Sequence, residues 1–119
     1  MSKRAKVLIV DDDPINRLVL EKTLKAEHDV FLVESGEKAL TFVKTAQVDL
    51  IILDVIMPGI DGYQVLVELK ENPITQSIPI IFISANRSHD DEAKGLELGA
   101  MDYITKPFSP SIVRVRVRN

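Results

Sequence analysis

Aspartates stand directly after two of the apolar runs in this sequence. The first run is followed by Asp11, Asp12 and Asp13, and a later one, Leu50–Leu53, is followed by Asp54. If these runs are neighbouring parallel strands, their carboxyl ends open on one crevice, where Asp11, Asp12 and Asp54 would converge. Carboxylates brought together repel each other unless a cation or a proton intervenes. Oxygen ligands without a nearby His or Cys indicate a hard cation, and Mg²⁺ combines carboxylates, water and phosphate in this way.

Two further apolar runs are followed by groups that suit phosphate. Ser84 follows Ile80–Ile83 and offers a hydroxyl, while Lys106 comes shortly after Tyr103–Ile104 and offers an ammonium. A hydroxyl donor and a cation that face a carboxylate and a metal ion are the groups needed to hold a phosphoryl group. Each residue alone has a simpler interpretation, as a turn serine or a surface lysine. Their shared position at strand ends favours a phosphoryl site.

The elements that must position these residues alternate along the chain. Apolar runs rich in Val and Ile predict parallel strands that are buried on both faces. Amphipathic segments between the runs predict helices, and right-handed crossovers then place helices on both faces of one sheet. The prediction is a doubly wound α/β domain with five strands, at Val7–Val10, Val30–Val33, Leu50–Leu53, Ile80–Ile83 and Tyr103–Ile104.

Start and stop signals support the helices. Asp13 before Pro14 is typical of an N-cap with proline at the first helical position. Ser88 precedes a run of acidic residues that complements the positive end of a helix dipole, and Gly99 suits the position after that helix. The other two internal helices are predicted over Glu37–Ala46 and Gly62–Glu71. In the first helix, apolar residues recur in one stripe of Ile15, Leu18 and Val19 and an adjacent stripe of Leu20 and Leu24.

The last segment is ambiguous. Ser109 and Pro110 look like another helix start, whereas Val113–Arg118 alternates with period two, which favours a strand. We predict a helix, because Val113 and Val117 lie four residues apart and can be buried on one side.

Composition limits the class of protein. The chain has 119 residues, which suit one domain with one core, and a net charge of −3. The absence of cysteine excludes disulfides and zinc–thiolate sites. No apolar run approaches the ~20 residues of a membrane span, and a basic surplus typical of nucleic-acid binding is missing. We expect a cytoplasmic domain that binds neither membranes nor nucleic acids directly.

Four motifs, in order along the chain, resemble the receiver domain of two-component response regulators. They are Val10–Pro14, Leu53–Gly62, Ser84-Ala85 and Lys106–Phe108, and the resemblance runs from about Lys6 to Phe108. It implies a flavodoxin-like sheet of order 2-1-3-4-5, of which a member of this family is a standard example. It also implies a function, the acceptance of a phosphoryl group from a sensor histidine kinase or a phosphotransfer protein.

The resemblance assigns the acceptor and the metal site. Asp54 would be the phosphoacceptor, and its own chemistry would be limited to phosphoryl transfer and dephosphorylation rather than turnover of a substrate. Asp11 and Asp12 would hold Mg²⁺ together with Asp54 and the backbone carbonyl of Ile56. Gly62, in the same motif, is expected to serve the geometry of the loop.

The resemblance also assigns the switch. Ser84 and Lys106 would bind phosphoryl oxygens, and the bond from Lys106 to Pro107 is expected to be cis. Tyr103 occupies the position of an aromatic switch whose ring moves inward on activation. Asn86, like Ile56, occupies a position that varies in the family and that the resemblance links to the rate of dephosphorylation.

The face formed by the fourth helix, the fifth strand and the fifth helix is expected to transmit the signal and to support a homodimer. The segment Ser109–Asn119 resembles receivers that continue into a further domain. We therefore expect a single receiver domain over 1–119, with a shortened last helix and an output domain that is either fused or separate.

Three other functions compete with this one. A small aspartyl-phosphate phosphatase would use Asp11 and Asp13, which have the required spacing, but the chain is short and the motif at Asp54 would be unexplained. An interaction module could keep the fold without phosphorylation, although the complete set of site residues argues against it. A flavodoxin would need a phosphate-binding loop where the three aspartates stand.

Overall fold

The computed structural model describes residues 4–85 and 89–118, apart from the side chain of His89. Within these ranges five strands alternate with five helices. The strands are β1 (Lys6–Val10), β2 (Asp29–Val33), β3 (Leu50–Asp54), β4 (Ile80–Ser84) and β5 (Asp102–Thr105). The helices are α1 (Pro14–Leu24), α2 (Gly36–Thr45), α3 (Gly62–Glu71), α4 (His89–Glu97) and α5 (Pro110–Arg118). None of the helices in the described ranges is long and apolar enough to span a lipid bilayer.

The strands form one parallel sheet of order β2-β1-β3-β4-β5, as predicted. Parallel strands all begin at one end of the sheet, called here the amino edge, and all finish at the opposite end, the carboxyl edge. The residues that follow these strands, or end them, therefore meet at this carboxyl edge. The register there pairs Val10 with Leu53, Asp54 with Ile83, and Ser84 with Thr105.

Both faces of the sheet are covered, which explains the unbroken apolar runs of the central strands. All five residues of β3 and all five of β4 are buried. The face covered by α2, α3 and α4 carries the two buried aromatic side chains, Phe82 and Tyr103. On the opposite face the buried hydrophobic residues of the described chain are all aliphatic: Val7, Ile9, Leu20, Leu24, Leu50, Ile52, Ile81, Ile83, Ile104 and Val113.

The predicted helices are confirmed, including the ambiguous last one. The helix α5 buries Val113 completely against the aliphatic face. Gly99 follows α4 with a φ of +110°, a backbone conformation that glycine adopts without a steric penalty. The predicted cap Ser88 and the position Asn86 lie outside the described residues.

The helix α1 buries a different side from its most conspicuous apolar stripe. Leu20 and Leu24 are buried, whereas Ile15 is 70% exposed and Leu18 is 49% exposed. The stripe that marks the helix in the sequence therefore lies mostly in solvent, close to the carboxyl edge of the sheet where α1 begins.

At the amino edge of the sheet, Arg4 binds the turn that follows α1. Its guanidinium donates hydrogen bonds to the carbonyls of Lys25 (2.5 Å), Ala26 (3.1 Å) and His28 (2.7 Å). It also pairs with the carboxylate of Asp29 at 3.0 Å. These carbonyls lie in the turn after the last residue of α1, Leu24. Arg4 thus supplies donors to backbone groups that would otherwise rely on water.

Candidate functional site

Asp54 is the last residue of β3 and lies at the centre of the carboxyl edge. It is only 5% exposed. Its Oδ2 atom lies 3.3 Å from the Nζ of Lys106, and its Oδ1 atom accepts a long hydrogen bond of 3.4 Å from the backbone N–H of Ile56. The carboxylate is therefore oriented from two sides, by a cation and by the loop that follows its own strand.

Gly62 fixes the loop that follows Asp54. Its N–H donates to the carbonyl of Val55 at 2.8 Å. A Cβ atom at position 62 would lie 2.4 Å from the carbonyl oxygen of Asp54 and 2.9 Å from the Cα of Val55. Both obstacles are backbone atoms, so a side chain fits there only if β3 or α3 moves. Glycine is therefore needed for α3 to begin against β3, in agreement with the backbone role predicted for it.

Asp11 and Asp12 follow β1, next to β3 in the sheet. Asp11 is 1% exposed, and its carboxylate accepts from the N–H of Asp13 at 2.9 Å and from the Nζ of Lys106 at 3.1 Å. Asp12 is exposed. Asp13 caps α1 as predicted and accepts from the N–H of Ile15 at 2.9 Å. Asp13 thus caps the helix, while the side chain of Asp11 points into the site.

One carboxylate oxygen from each of Asp11, Asp12 and Asp54 lies within 4.8 Å of the others. All three ligand atoms are oxygens, which is the donor set that Mg²⁺ and Ca²⁺ prefer. Two of the three carboxylates are buried, so water screens their repulsion poorly. The residues present therefore fit a hard divalent cation.

The charges at the site are not balanced by Lys106 alone. Burial, followed by the charge of Asp11, raises the pKa of Asp54 from its usual value of 3.8 to about 6, although Lys106 opposes the shift. Burial disfavours the ammonium of Lys106 as well, but the two carboxylates outweigh this effect and raise the pKa of Lys106. The ammonium therefore stays charged, and a second cation near Asp54 would be favourable.

Ser84 and Lys106 meet at the ends of β4 and β5. Ser84 is completely buried, and its backbone carbonyl accepts from the N–H of Lys106 at 2.7 Å. The peptide bond between Lys106 and Pro107 is cis, as the resemblance implied. The register places Ser84 one residue beyond the level of Asp54. Hydroxyl, ammonium and carboxylate are thus brought to neighbouring strand ends.

Tyr103 is 7% exposed and belongs to a row of three aromatic rings. Its ring lies 6.1 Å from that of Phe82, which in turn lies 5.3 Å from that of Tyr63. Gly95 of α4 leaves room for this row, because a Cβ there would lie 2.9 Å from the Phe82 ring. The Tyr63 hydroxyl donates to the carbonyl of Asp91 in α4 at 3.0 Å. Burial, followed by the neighbouring Tyr103, raises the pKa of Tyr63 to about 12.

The sequence prediction named Tyr103 but missed Tyr63 and Phe82. Their types and positions are typical of core residues, so only the three-dimensional contacts reveal that they join α3, β4 and α4. Arg17 was also missed, although its Nη1 atom donates to the backbone carbonyl of Asp11 at 2.7 Å. Ile56 lies in the loop after Asp54 with its side chain 62% exposed.

The model of the response regulator receiver domain family matches residues 7–118 of this chain. The chain is a response regulator receiver domain. It is 39% identical over 111 residues to a probable cyclic di-GMP phosphodiesterase of Vibrio cholerae, covering 93% of this chain and 25% of that protein. It is 40% identical over 114 residues to the alkaline phosphatase synthesis transcriptional regulatory protein PhoP of Bacillus subtilis, covering 95% of this chain and 47% of PhoP.

A solved structure supports the same assignment. The crystal structure of a putative response regulator from Chloroflexus aurantiacus superimposes with a TM-score of 0.94 at 38% identity, covering 98% of this chain and 97% of that one. The receiver domain is accordingly a phosphorylation-accepting signalling domain with the flavodoxin-like fold. It spans between a quarter and a half of the length of the two curated relatives described above.

Proposed function

We propose that Asp54 accepts the phosphoryl group, and that the donor is a phosphohistidine on a sensor histidine kinase or a phosphotransfer protein. The observation that carries this proposal is the sharing of one ammonium by two buried carboxylates. The Nζ of Lys106 lies 3.1 Å from the carboxylate of Asp11 and 3.3 Å from that of Asp54. Asp54 is the last residue of β3 and belongs to the motif Leu53–Gly62. Such a cluster is unfavourable unless it binds further groups.

The chemistry follows from the groups present. A carboxylate oxygen of Asp54 forms a bond to phosphorus as the bond between phosphorus and the donor nitrogen breaks, and that electron pair stays on the imidazole. The ammonium of Lys106 neutralises charge on the transferring group, and the hydroxyl of Ser84 donates a hydrogen bond to it. Asp54 attacks in its ionised form, so its pKa of about 6 leaves most of it reactive at neutral pH.

Asp11, Asp12 and Asp54, together with the backbone carbonyl of Ile56, would hold Mg²⁺. When bound, Mg²⁺ supplies positive charge to the phosphoryl oxygens. The oxygen-only donor set and the repulsion between the buried carboxylates support this choice of ion. Apart from its own phosphoryl transfer and dephosphorylation, we propose no catalysis by the domain.

The phosphorylated Asp54 carries up to about two negative charges. Ser84 and Lys106 would be drawn toward them, and the hydrogen bond between their backbones joins the ends of β4 and β5. Tyr103 lies on β5 and packs on Phe82 of β4, so we propose that it transmits this shift to the face formed by α4, β5 and α5. That face would bind the output domain, fused or separate, or a second copy of the domain. Tyr103→Ala should then alter partner binding after phosphorylation.

The site is tested by the intact mass of the protein after incubation with Mg²⁺ and a small-molecule phosphodonor. The wild type should gain one phosphoryl group, and Asp54→Asn should gain none. Asp13→Asn is the matched control, because asparagine caps a helix as well as aspartate does. It should still gain the group.

The outcomes separate the competing functions. No gain by folded wild-type protein, with the donor still intact, would favour an interaction module. Continued release of phosphate without a lasting adduct, abolished by Asp13→Asn, would favour the phosphatase.

A further inference from the structure

The backbone of Asp11 is held on both sides. Its N–H donates to the carbonyl of Val33 at 3.3 Å, as a continuation of the pairing between β1 and β2. Its carbonyl accepts from the Nη1 of Arg17 at 2.7 Å. Ordinary strand pairing explains the first bond. The second is made by a charged side chain one turn into the following helix, and the phosphoryl chemistry described above does not use it.

Arg17 lies on the same side of α1 as the residues that pack on the sheet. It precedes Leu20 by three residues and Leu24 by seven, which places all three on one side of α1. The two leucines are buried and Arg17 is partly buried. Its charge also helps Lys38, the larger cause, to lower the pKa of Glu34. The guanidinium therefore lies between the loops that follow β1 and β2, beside the acidic cluster but not on a carboxylate of the site.

We propose that Arg17 is a positioning residue for the divalent cation. The peptide unit from the Asp11 carbonyl to the Asp12 nitrogen is planar, so fixing the Asp11 oxygen also fixes the backbone from which the Asp12 side chain departs. The carboxylate of Asp11 already has partners in Asp13 and Lys106. Asp12 is exposed, and the bond from Arg17 is the contact that orients the peptide before it. This inference rests on the proposed binding of Mg²⁺.

The charge and the geometry of Arg17 act in opposite directions. A guanidinium near the cluster repels a divalent cation, so an arginine that acted only through its charge would weaken Mg²⁺ binding. Its removal would then strengthen binding. An arginine that orients the loop has the opposite effect, because outer-shell partners of metal ligands typically contribute about 10–100-fold to metal affinity. The sign of the change therefore distinguishes the two roles.

The test is a calorimetric titration of the whole chain with MgCl₂. Arg17→Met should bind Mg²⁺ about tenfold more weakly than the wild type. Arg17→Lys keeps the charge and one donor, so it should recover part of the loss. Lys22→Met removes one positive charge from the same helix at an exposed position and should bind like the wild type. With a phosphodonor, Arg17→Met should reach the wild-type rate of phosphorylation once Mg²⁺ is raised in proportion.

The outcomes are separable. Equal or tighter Mg²⁺ binding by Arg17→Met, beside normal binding by the wild type, would overturn the role of Arg17 and leave the proposed function intact. A lowered phosphorylation rate that saturating Mg²⁺ does not restore would also overturn it. If the wild type itself did not bind Mg²⁺, both the role of Arg17 and the proposed metal site would be wrong.

Discussion

The two edges of the sheet use charged residues in opposite ways. At the amino edge, Arg4 meets backbone carbonyls and a carboxylate, and Asp49 accepts from the N–H of Lys6 at 2.8 Å. These groups lie in solvent and satisfy the backbone. At the carboxyl edge, the buried carboxylates of Asp11 and Asp54 share one ammonium. The charged side chains at the amino edge stabilise the fold, whereas the ionised carboxylates at the carboxyl edge destabilise it.

The difference has a measurable size. A shift of one pKa unit corresponds to about 1.4 kcal/mol between the two protonation states. The rise in the pKa of Asp54 from 3.8 to about 6 therefore indicates that its ionised form lowers the stability by on the order of 1–3 kcal/mol at neutral pH. Small domains have a total stability of only about 5–15 kcal/mol. The carboxyl edge thus holds an ionised, buried carboxylate at a substantial energetic cost, while the amino edge carries none of that cost.

The sharpest test of this contrast is Lys106→Met. Breaking a buried ion pair by removing one partner is strongly destabilising, because a buried charge is left uncompensated. We expect the free energy of unfolding at pH 7.5, without metal, to fall by about 3 kcal/mol. Mg²⁺ or a lower pH should restore part of it, since either one relieves the carboxylates. Urea denaturation with EDTA and with MgCl₂ measures this. A loss that is independent of both Mg²⁺ and pH would contradict the account.

The next largest effect should have the opposite sign. Asp54→Asn removes the ionised group, so it should raise the free energy of unfolding at pH 7.5 by about 2 kcal/mol without metal. Because the pKa of Asp54 is higher in the folded state, the wild type loses stability as the pH rises from about 4 through about 6. The advantage of Asp54→Asn should therefore be absent near pH 4 and complete above pH 7. If Asp54→Asn were less stable than the wild type at pH 7.5, the ionised carboxylate could not be the destabilising group at the carboxyl edge.

A smaller loss is expected at the amino edge. Arg4→Ala removes the donors to the turn that follows α1 and should lower the free energy of unfolding by about 1 kcal/mol, a modest value because Arg4 is largely exposed. The rate of phosphorylation should not change, as measured by intact mass over time at saturating Mg²⁺. A clear fall in that rate, with the protein still folded, would show that the two edges are not independent.

The smallest effect concerns α4. Tyr63→Phe removes the hydroxyl that donates to the carbonyl of Asp91 and should lower the stability by about 0.5–1 kcal/mol. The ring contact with Phe82 is kept. Amide hydrogen exchange should become faster in α4 but not in α1, which lies on the other face. Equal acceleration in both helices would indicate a general loss of stability instead of a local release.

The sequence predicted the carboxyl edge better than the amino edge. An aspartate after an unbroken apolar run is visible in one dimension, and parallel strands bring such ends together. The sequence alone therefore predicts that Asp11 and Asp54 lie at this edge. It does not predict their burial or the sharing of Lys106, because both depend on how closely the loops pack.

Contacts from side chains to backbone carbonyls are hard to predict from the sequence. Arg4 donates to three backbone carbonyls and Arg17 to one. Every residue carries a carbonyl, so the sequence does not identify the partner. For Arg17 there was a weak signal, a charged residue in line with Leu20 and Leu24. It was obscured because Ile15 and Leu18 form the more conspicuous apolar stripe, which the fold leaves mostly in solvent.

The absence of a side chain at Gly62 also limits how this domain can be redesigned. A library meant to change its signalling partners can vary exposed neighbours such as Ile56 or Val67. Position 62 offers no such freedom, because the first carbon of any side chain would lie 2.4 Å from the backbone carbonyl oxygen of Asp54. A side chain at position 62 would therefore require the end of β3 or the start of α3 to be rebuilt, even with every acidic residue of the site unchanged.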